Sequence, residues 1–273
     1  YEGYGYFWQI DDFMIVEGVE YDLEISRIFT GNIMRSCNKN LVLGIAISLA
    51  TPSIALAEGF YATAQLGVSQ HANDSEAYGN NIAVDSDFPS SFDTESGHVS
   101  GVGIGYLFND QFRIEGRLGY RDSNFNDRQM GTGAREGEEY YLNGNIKSVT
   151  VTLEGFYDFV NDSSFTPYIK AGVGVSNNDY SARLGGTGIA AFDPFDGKAD
   201  GYYDDYADGD STEFSWNLGF GGTLEVSKNT SIYGEYQYAS FGDVKTGQDA
   251  FTDGFKVNDA ASHEVVIGVR IAI

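Results

Sequence analysis

Hydrophobic and polar residues alternate along most of the chain from residue 58 onward. The last segment, HEVVIGVRIAI, shows this pattern clearly, because Val265, Ile267 and Val269 fall on one face and Glu264 and Arg270 on the other. A period of two residues is typical of a β-strand, whose successive side chains point to opposite sides of the sheet. Segments of this kind recur and predict about eight strands, at 59–70, 97–108, 111–122, 147–160, 165–176, 212–226, 230–241 and 262–273.

The connections between these segments alternate between short and long. The short ones have turn-forming compositions of Asn, Asp and Ser, at 109–110, 161–164 and 227–229. The long ones are polar and rich in Gly and Asp, at 71–96, 123–146, 177–211 and 242–261. Transmembrane barrels of the outer-membrane type have short turns on the periplasmic side and longer loops outside. The sequence therefore predicts an all-β fold, an eight-stranded antiparallel up-and-down transmembrane β-barrel with short periplasmic turns and long extracellular loops.

A secreted, soluble β-protein would also contain alternating strands, so the composition of each face has to be considered. The polar face combines glycine with large charged residues of both signs, which suits a narrow lumen better than a surface in water. Aromatic residues lie near the strand ends, as expected for girdles at two membrane interfaces. They are Tyr106, Phe108 and Phe112 near the short turns and Tyr120, Phe214 and Trp216 near the long loops.

Segment 34–57 has the composition of a secretory signal peptide. It begins with basic residues, continues with an apolar run and ends in the small-residue cleavage pattern Ala-Leu-Ala at 55–57. The run is too short and too polar for a spanning helix, which needs about 20 predominantly apolar residues; a buried helix or an anchor is the alternative. We therefore expect 1–33 to be an upstream segment outside the mature protein, 34–57 to be a signal peptide and 58–273 to be the barrel.

The charge of the chain restricts its partners. The formal net charge is −24, and segment 1–57 holds seven acidic and three basic residues, so about −20 belongs to the rest. Such a surface repels nucleic acid and anionic lipid headgroups, which excludes a nucleic-acid partner. The sole cysteine, Cys37, precedes the apolar run and would be removed with the signal peptide, so disulfides are not expected.

Two segments resemble strands of a known family. FTPYIKAGVGVSNND, at 165–179, looks like a Pro-Tyr-x-x-x-Gly-x-Gly strand, and HEVVIGVRIAI looks like a closing strand. On these residues the chain resembles the porin-like family of small outer-membrane β-barrels that includes the transmembrane domain of outer membrane protein A and the opacity-type surface proteins. The resemblance implies location in the outer membrane of a Gram-negative bacterium, contact with outer-membrane lipid and lipopolysaccharide, and recognition of the C-terminal strand by the barrel-assembly machinery. The family usually ends on an aromatic residue, from which Ile273 departs.

Charged residues on the inner face are the main candidates for a structural site. An eight-stranded barrel is just wide enough for its own side chains to fill it. We expect an ion-pair network that closes the lumen, although the same charges could coat a water-filled bore. Its predicted members are Arg113, Glu115, Arg117, Glu154, Lys170, Glu225, Glu235, Glu264 and Arg270.

Pairing the strands about the short turns gives a register for these charges. About the turn at 161–164, Glu154 falls opposite Lys170. About the turn at 109–110, Glu115 and Arg117 face Gly105 and Gly103, which leaves room for the long side chains.

Three histidines and the acidic third loop are weaker candidates for a metal-binding or partner-binding site. His71, His98 and His263 lie at the long-loop ends of neighbouring strands, but the alternation points them in different directions, whereas zinc needs converging ligands. The acidic third loop lacks the spacing of a calcium-binding loop. We therefore predict no catalytic residue, metal or cofactor. Tyrosines of that loop are possible contacts with an extracellular partner, because Tyr is enriched at binding surfaces: Tyr202, Tyr203 and Tyr206.

These features predict a non-enzymatic outer-membrane protein whose acidic loops face outward for envelope integrity, adhesion or surface interaction. A small diffusion pore is one alternative. A barrel enzyme that modifies lipid A is another, and it would need a rim nucleophile held beside a histidine; Ser69, Ser100 and Ser262 lie near the histidines without a recognisable motif.

Overall fold

The computed structural model describes residues 59–78, 89, 91–187, 202–247 and 254–273, with the side chains of 203–205 left aside. The predicted upstream segment 1–33 and signal peptide 34–57 lie outside these residues. Within the described ranges, no helix has both the length and the hydropathy needed to cross a membrane.

The described residues form eleven strands and one short 3₁₀ turn at Gly133–Arg135. The strands are β1 Phe60–His71, β2 Ser75–Ala77, β3 Ser91–Phe92, β4 Ser96–Leu107, β5 Phe112–Met130, β6 Glu139–Asp158, β7 Phe165–Gly186, β8 Tyr202–Asp205, β9 Gly209–Ser227, β10 Thr230–Lys245 and β11 Phe255–Ala272.

Eight of these strands form a closed antiparallel ring in the order β1-β4-β5-β6-β7-β9-β10-β11. The ring closes because β11 also pairs with β1, from Tyr61 opposite Ala272 to His71 opposite Ser262. The three short strands are additions at the long-loop end, where β2 pairs with β11 and with β3, and β8 pairs with β7. The predicted all-β, eight-stranded antiparallel barrel is confirmed.

The two faces of the wall have opposite polarity in the half nearer the short turns. Leu66 and Ile267 are 63% and 62% exposed on the outside, whereas Glu115 and Glu264 are 1% and 0% exposed inside. A soluble barrel would bury the first pair and expose the second. The outward apolar surface therefore faces lipid, as the alternation predicted, and the soluble alternative is excluded.

The strands are longer than predicted toward the long loops. The connection predicted at 123–146 is wrong, because β5 continues to Met130 and β6 begins at Glu139, so only 131–138 connect them. The reason is an inversion of polarity along β5, β6, β7, β10 and β11. On β5 the inward residues change from charged Arg121 to apolar Phe125, while the outward residues change from Tyr120 to Asn124. An apolar inside and a polar outside are what a β-barrel in water requires.

The inverted part encloses a hydrophobic core, which we call the upper core. Its members come from the long-loop ends of β5, β6, β7, β10 and β11, from the short strand β3 and from the connection between β8 and β9. They are Phe92, Phe125, Tyr140, Leu142, Ile146, Tyr180, Ala182, Leu184, Tyr206, Ala239, Phe241, Val244, Phe255, Val257 and Ala260. The barrel thus has a lower part with an apolar outer surface that faces lipid. It also has an upper part, the extracellular wall, with a polar outer surface that faces water.

Candidate functional site

The lumen of the lower part is filled by long charged side chains that lie opposite glycines. Glu115 pairs with Gly105 and Arg117 with Gly103, which confirms the predicted register of this hairpin. A Cβ atom at Gly103 would lie 2.3 Å from the Glu115 carboxylate. Glycine at this position therefore creates the space that the charged side chain occupies.

Five residues form a central charge cluster: Arg117, Lys170, Glu115, Glu154 and Glu235. The Arg117 guanidinium lies 2.8 Å from Glu115, 3.4 Å from Glu154 and 3.7 Å from Glu235. The Lys170 ammonium lies 3.1 Å from Glu154 and 2.7 Å from Glu235. All five side chains are buried, and the cluster holds two cations against three carboxylates.

Neutral polar side chains complete the coordination of this cluster. Thr63 donates a hydrogen bond to Glu115 at 2.8 Å, and Tyr168 donates to Glu235 at 2.9 Å. Asn217 donates to Glu154 at 3.0 Å, and Arg117 donates to the side-chain amide oxygen of Gln65 at 2.7 Å. Such bonds offset the desolvation that would otherwise make buried ions costly.

Two further ion pairs flank the cluster, and sequence reasoning identified only one partner of each. Toward the long loops, the Nε and Nη2 atoms of Arg121 both donate hydrogen bonds to the Glu264 carboxylate. Toward the short turns, Arg113 lies 2.9 Å from Asp158, with its guanidinium 3.7 Å from the centre of the Phe156 ring. Arg121 and Asp158 could have been found, because the alternation puts them on the inner face with Arg117 and Glu154.

Two predicted members of the network are not part of it. Glu225 is exposed, because it lies near the short turn at the end of β9, and no ion pair includes it among the described residues. Arg270 is partly buried and stacks 5.6 Å from the Tyr61 ring, without an ion pair in the described part of the chain.

The predicted register of Glu154 is also wrong. Glu154 lies opposite Gly172, and Lys170 lies opposite Phe156. The two side chains still meet, because diagonal neighbours on one face of a sheet are within reach of long side chains.

Side chains close the bore at two levels. A cavity of about 10 Å³ remains beside Arg117 and Asn217, which is room for about one water molecule. Above it, the upper core fills the extracellular wall with apolar side chains. An ion or solute entering from the loop end would have to displace both layers.

The histidines do not converge. His71 lies on the inner face, with its ring 6.4 Å from that of Phe241, whereas His98 and His263 are exposed on the outer face. His263 shares a hydrogen bond of 2.7 Å with the Tyr236 hydroxyl, and its neighbour Ser262 points inward and donates to Glu264. Across the described ranges, no group of three His, Cys, Asp or Glu side chains is placed to hold a metal ion.

The tyrosines predicted as partner contacts have different positions. Tyr206 is 5% exposed and packs in the upper core against Phe255, so its use as a contact is contradicted. Tyr202 is half-buried, accepts a hydrogen bond from Asn143 at 2.9 Å and lies under the Arg183 guanidinium at 3.9 Å. The side chain of Tyr203 lies outside the described residues.

Like charges face each other on the outside of the extracellular wall. Asp179 on β7 is paired with Asp210 on β9 and, on its other side, with Lys147 on β6. Partial burial, followed by the carboxylates of Asp210 and Asp208, raises the pKa of Asp179 above its usual range. Loss of a proton from Asp179 is therefore less favourable in the folded state than in the unfolded chain.

Comparisons with known proteins agree with this architecture. The family model of the outer membrane protein β-barrel domain matches residues 41–259. Outer membrane protein PagN of Salmonella typhimurium is 27% identical over 183 residues, which cover 63% of this chain and 71% of PagN. Neisserial surface protein A is 19% identical, with a TM-score of 0.43 over 79% of this chain and 97% of that chain. The outer membrane protease OmpT of Escherichia coli is 10% identical, with a TM-score of 0.47 over 82% of this chain and 99% of that chain.

Proposed function

The chain belongs to the outer membrane protein β-barrel domain family, and on that premise we propose that it is a closed, non-enzymatic barrel that presents an extracellular surface for attachment. It is a β-barrel of the outer membrane of a Gram-negative bacterium, related to PagN.

The double closure of the bore is the observation that carries this proposal. A diffusion pore needs a continuous aqueous path, whereas this lumen is occupied by the central charge cluster and, above it, by the upper core. A barrel that does not conduct still provides a rigid β-sheet outside the membrane, because β5, β6 and β7 continue well past the apolar belt. Rigid scaffolds that carry surface loops are a common basis for recognition.

Conductance in planar bilayers tests the closed lumen. We expect the folded protein to give no steady single-channel steps, with a general porin reconstituted in parallel to verify the assay. Large, steady steps would contradict the closure and favour the diffusion pore.

Attachment is tested with bacteria that display the chain. We expect cells expressing it to be retained on epithelial monolayers more than cells that express an unrelated small barrel at the same level. Equal retention would contradict the attachment role. The mass of lipid A from the same cells should be unchanged, and an altered acyl count that disappears in His98→Ala would establish an enzyme instead.

A further inference from the structure

The outer side of the extracellular wall carries a regular array of asparagines on β5 and β6. Asn124 lies directly opposite Asn145, and Asn126 lies opposite Asn143. One step higher, Tyr141 follows on β6 opposite Arg128. Cross-strand neighbours are about 5 Å apart and alternate residues about 7 Å apart along a strand. We call these four asparagines together with Tyr141 the asparagine face.

The asparagine face is supported from behind by packed side chains. Phe125 and Leu142, which lie between its members, and Ile146, which follows Asn145, point inward and are buried in the upper core. The face continues on β7, where Ser181 lies beside Asn145. A packed core behind a paired sheet holds the outward side chains at fixed spacings.

The height of the asparagine face above the lipid determines what surrounds it. Asn124 and Asn126 follow the interfacial Tyr120 by four and six residues on β5. At about 3.3 Å per residue and a strand tilt of about 45°, they lie roughly 9–14 Å above that level. The side chains of the face point outward from the barrel wall, in a direction parallel to the membrane plane. They are therefore directed toward the layer of sugars attached to the surrounding lipopolysaccharide.

The chemistry of the face fits sugar hydroxyls. A carboxamide offers two donors and an acceptor, and a hydroxyl is both donor and acceptor, so the two match in either direction. Asn145 donates to Asp122 at 2.7 Å and to Asn124 at 2.9 Å, and Asn143 donates to Tyr202 at 2.9 Å, which orients both amides. Asn126 is exposed, and its side chain makes no hydrogen bond within the described part of the wall.

An aromatic ring completes the array. The Tyr141 ring lies across Gly185, where an added Cβ would be 2.1 Å from the ring. Aromatic rings combine an apolar face with a polar edge, and the apolar face suits the C–H side of a sugar ring. Tyr141 also lies beneath the Arg128 guanidinium, 5.6 Å from the ring centre.

We propose that the asparagine face binds the uncharged sugars of lipopolysaccharide in the same membrane. The five side chains of the face are uncharged, and the charged groups that border them are of both signs. Asp122 accepts a hydrogen bond from Asn145, while Arg128 and Arg183 lie opposite Tyr141 and Asn143. The whole segment from residue 58 carries about −20, which repels phosphate- and sulfate-bearing chains. A protein partner would require more apolar area than one tyrosine supplies. This contact goes beyond the proposed attachment role, because its ligand belongs to the membrane that holds the barrel.

The test uses the folded barrel in phospholipid nanodiscs and the polysaccharide of lipopolysaccharide, freed from lipid A by mild acid. Side-chain amide resonances should shift on titration at Asn126 and Asn143 and remain unchanged at Asn258, which is exposed on β11 at a different part of the wall. Asn126→Ala combined with Asn143→Ala should weaken binding at least tenfold, and Asn258→Ala should not change it. Unheated and boiled electrophoresis should show that all variants remain folded.

Several results would overturn the proposal. Equal affinity in the double variant would show that the polysaccharide binds elsewhere. Shifts of the same resonances with lipid A alone would assign the face to phosphates, and competition by a sulfated polysaccharide would assign it to polyanions. Displacement by host-type neutral glycans at lower concentration than the bacterial polysaccharide would assign the face to attachment rather than to the surrounding membrane.

Discussion

Replacement of Arg117 by Met tests whether the central charge cluster stabilises the barrel. Arg117 lies within 3.7 Å of three carboxylates, and it is the only cation paired with Glu115 among the described residues. Its removal would leave three buried carboxylates facing only the Lys170 ammonium. Breaking a buried ion pair by removing one partner costs about 3–5 kcal/mol. We therefore expect Arg117→Met to lower the free energy of unfolding by about that amount.

A second substitution separates charge from packing. In Arg117→Met combined with Glu115→Gln, two carboxylates face one ammonium, so the excess of one negative charge found in the native cluster is restored. The double variant should recover about 0.5–3 kcal/mol relative to the sum of the two single variants, as contacting residues do. Arg128→Met is the control, because that side chain is 61% exposed and pairs with Glu139 on the wall surface.

Urea unfolding in lipid vesicles, followed by the fluorescence of Trp216, measures these differences. Trp216 is the only tryptophan in 58–273 and lies on the outer face of β9. The reasoning is refuted if Arg117→Met costs less than about 1 kcal/mol, the value of an exposed pair. It is also refuted if the double variant loses the full sum of the single losses, since the two charges would then be independent.

Three further outcomes follow from other parts of the molecule. Phe125→Ala should cost about 3–5 kcal/mol and make the extracellular wall sensitive to protease, while the lipid-embedded part still resists unfolding in unheated electrophoresis. Gly105→Val should reduce refolding yield in vesicles, because a Cβ there would lie 2.1 Å from the Tyr61 ring. The raised pKa of Asp179 gives a stabilising contribution that is complete below the unfolded pKa and is lost as pH rises through the folded pKa. Asp179→Asn should therefore stabilise the wall at neutral pH and not at pH 3, as measured by hydrogen exchange. An equal effect at both pH values would contradict the repulsion from Asp210.

The lower part of the barrel was predictable because one rule holds along its whole height. Apolar residues face lipid and polar residues face the lumen, so the alternation gave both the strands and the inward charges such as Glu154 and Arg117. The register was less certain, because a shift of two residues keeps every side chain on its face. The predicted pairing of Lys170 with Glu154 differs from the observed pairing with Phe156 by such a shift of two residues.

The extracellular wall was not predictable from the same rule. Above Arg121 the outside is water, so the apolar residues move to the inside and polar Asn124 and Asn126 move out. The alternation continues through this region, but its phase is inverted, and a polar outward face resembles a loop in composition. The burial of Tyr206 could not be predicted either, because the segment around it is acidic and has the composition of an exposed loop.

The inversion of polarity within single strands also fixes the immersion depth of the protein. A barrel with uniformly alternating strands can change its depth in the bilayer as bilayer thickness changes, at a modest free-energy cost per ångström of mismatch. Here, sinking by one residue pair would bring the Asp122 carboxylate to the interfacial level of Tyr120, and rising would lift Val149, which pairs with Tyr120, into the headgroups. The bilayer must therefore adjust its thickness around this protein, which would favour its residence in regions of matching thickness.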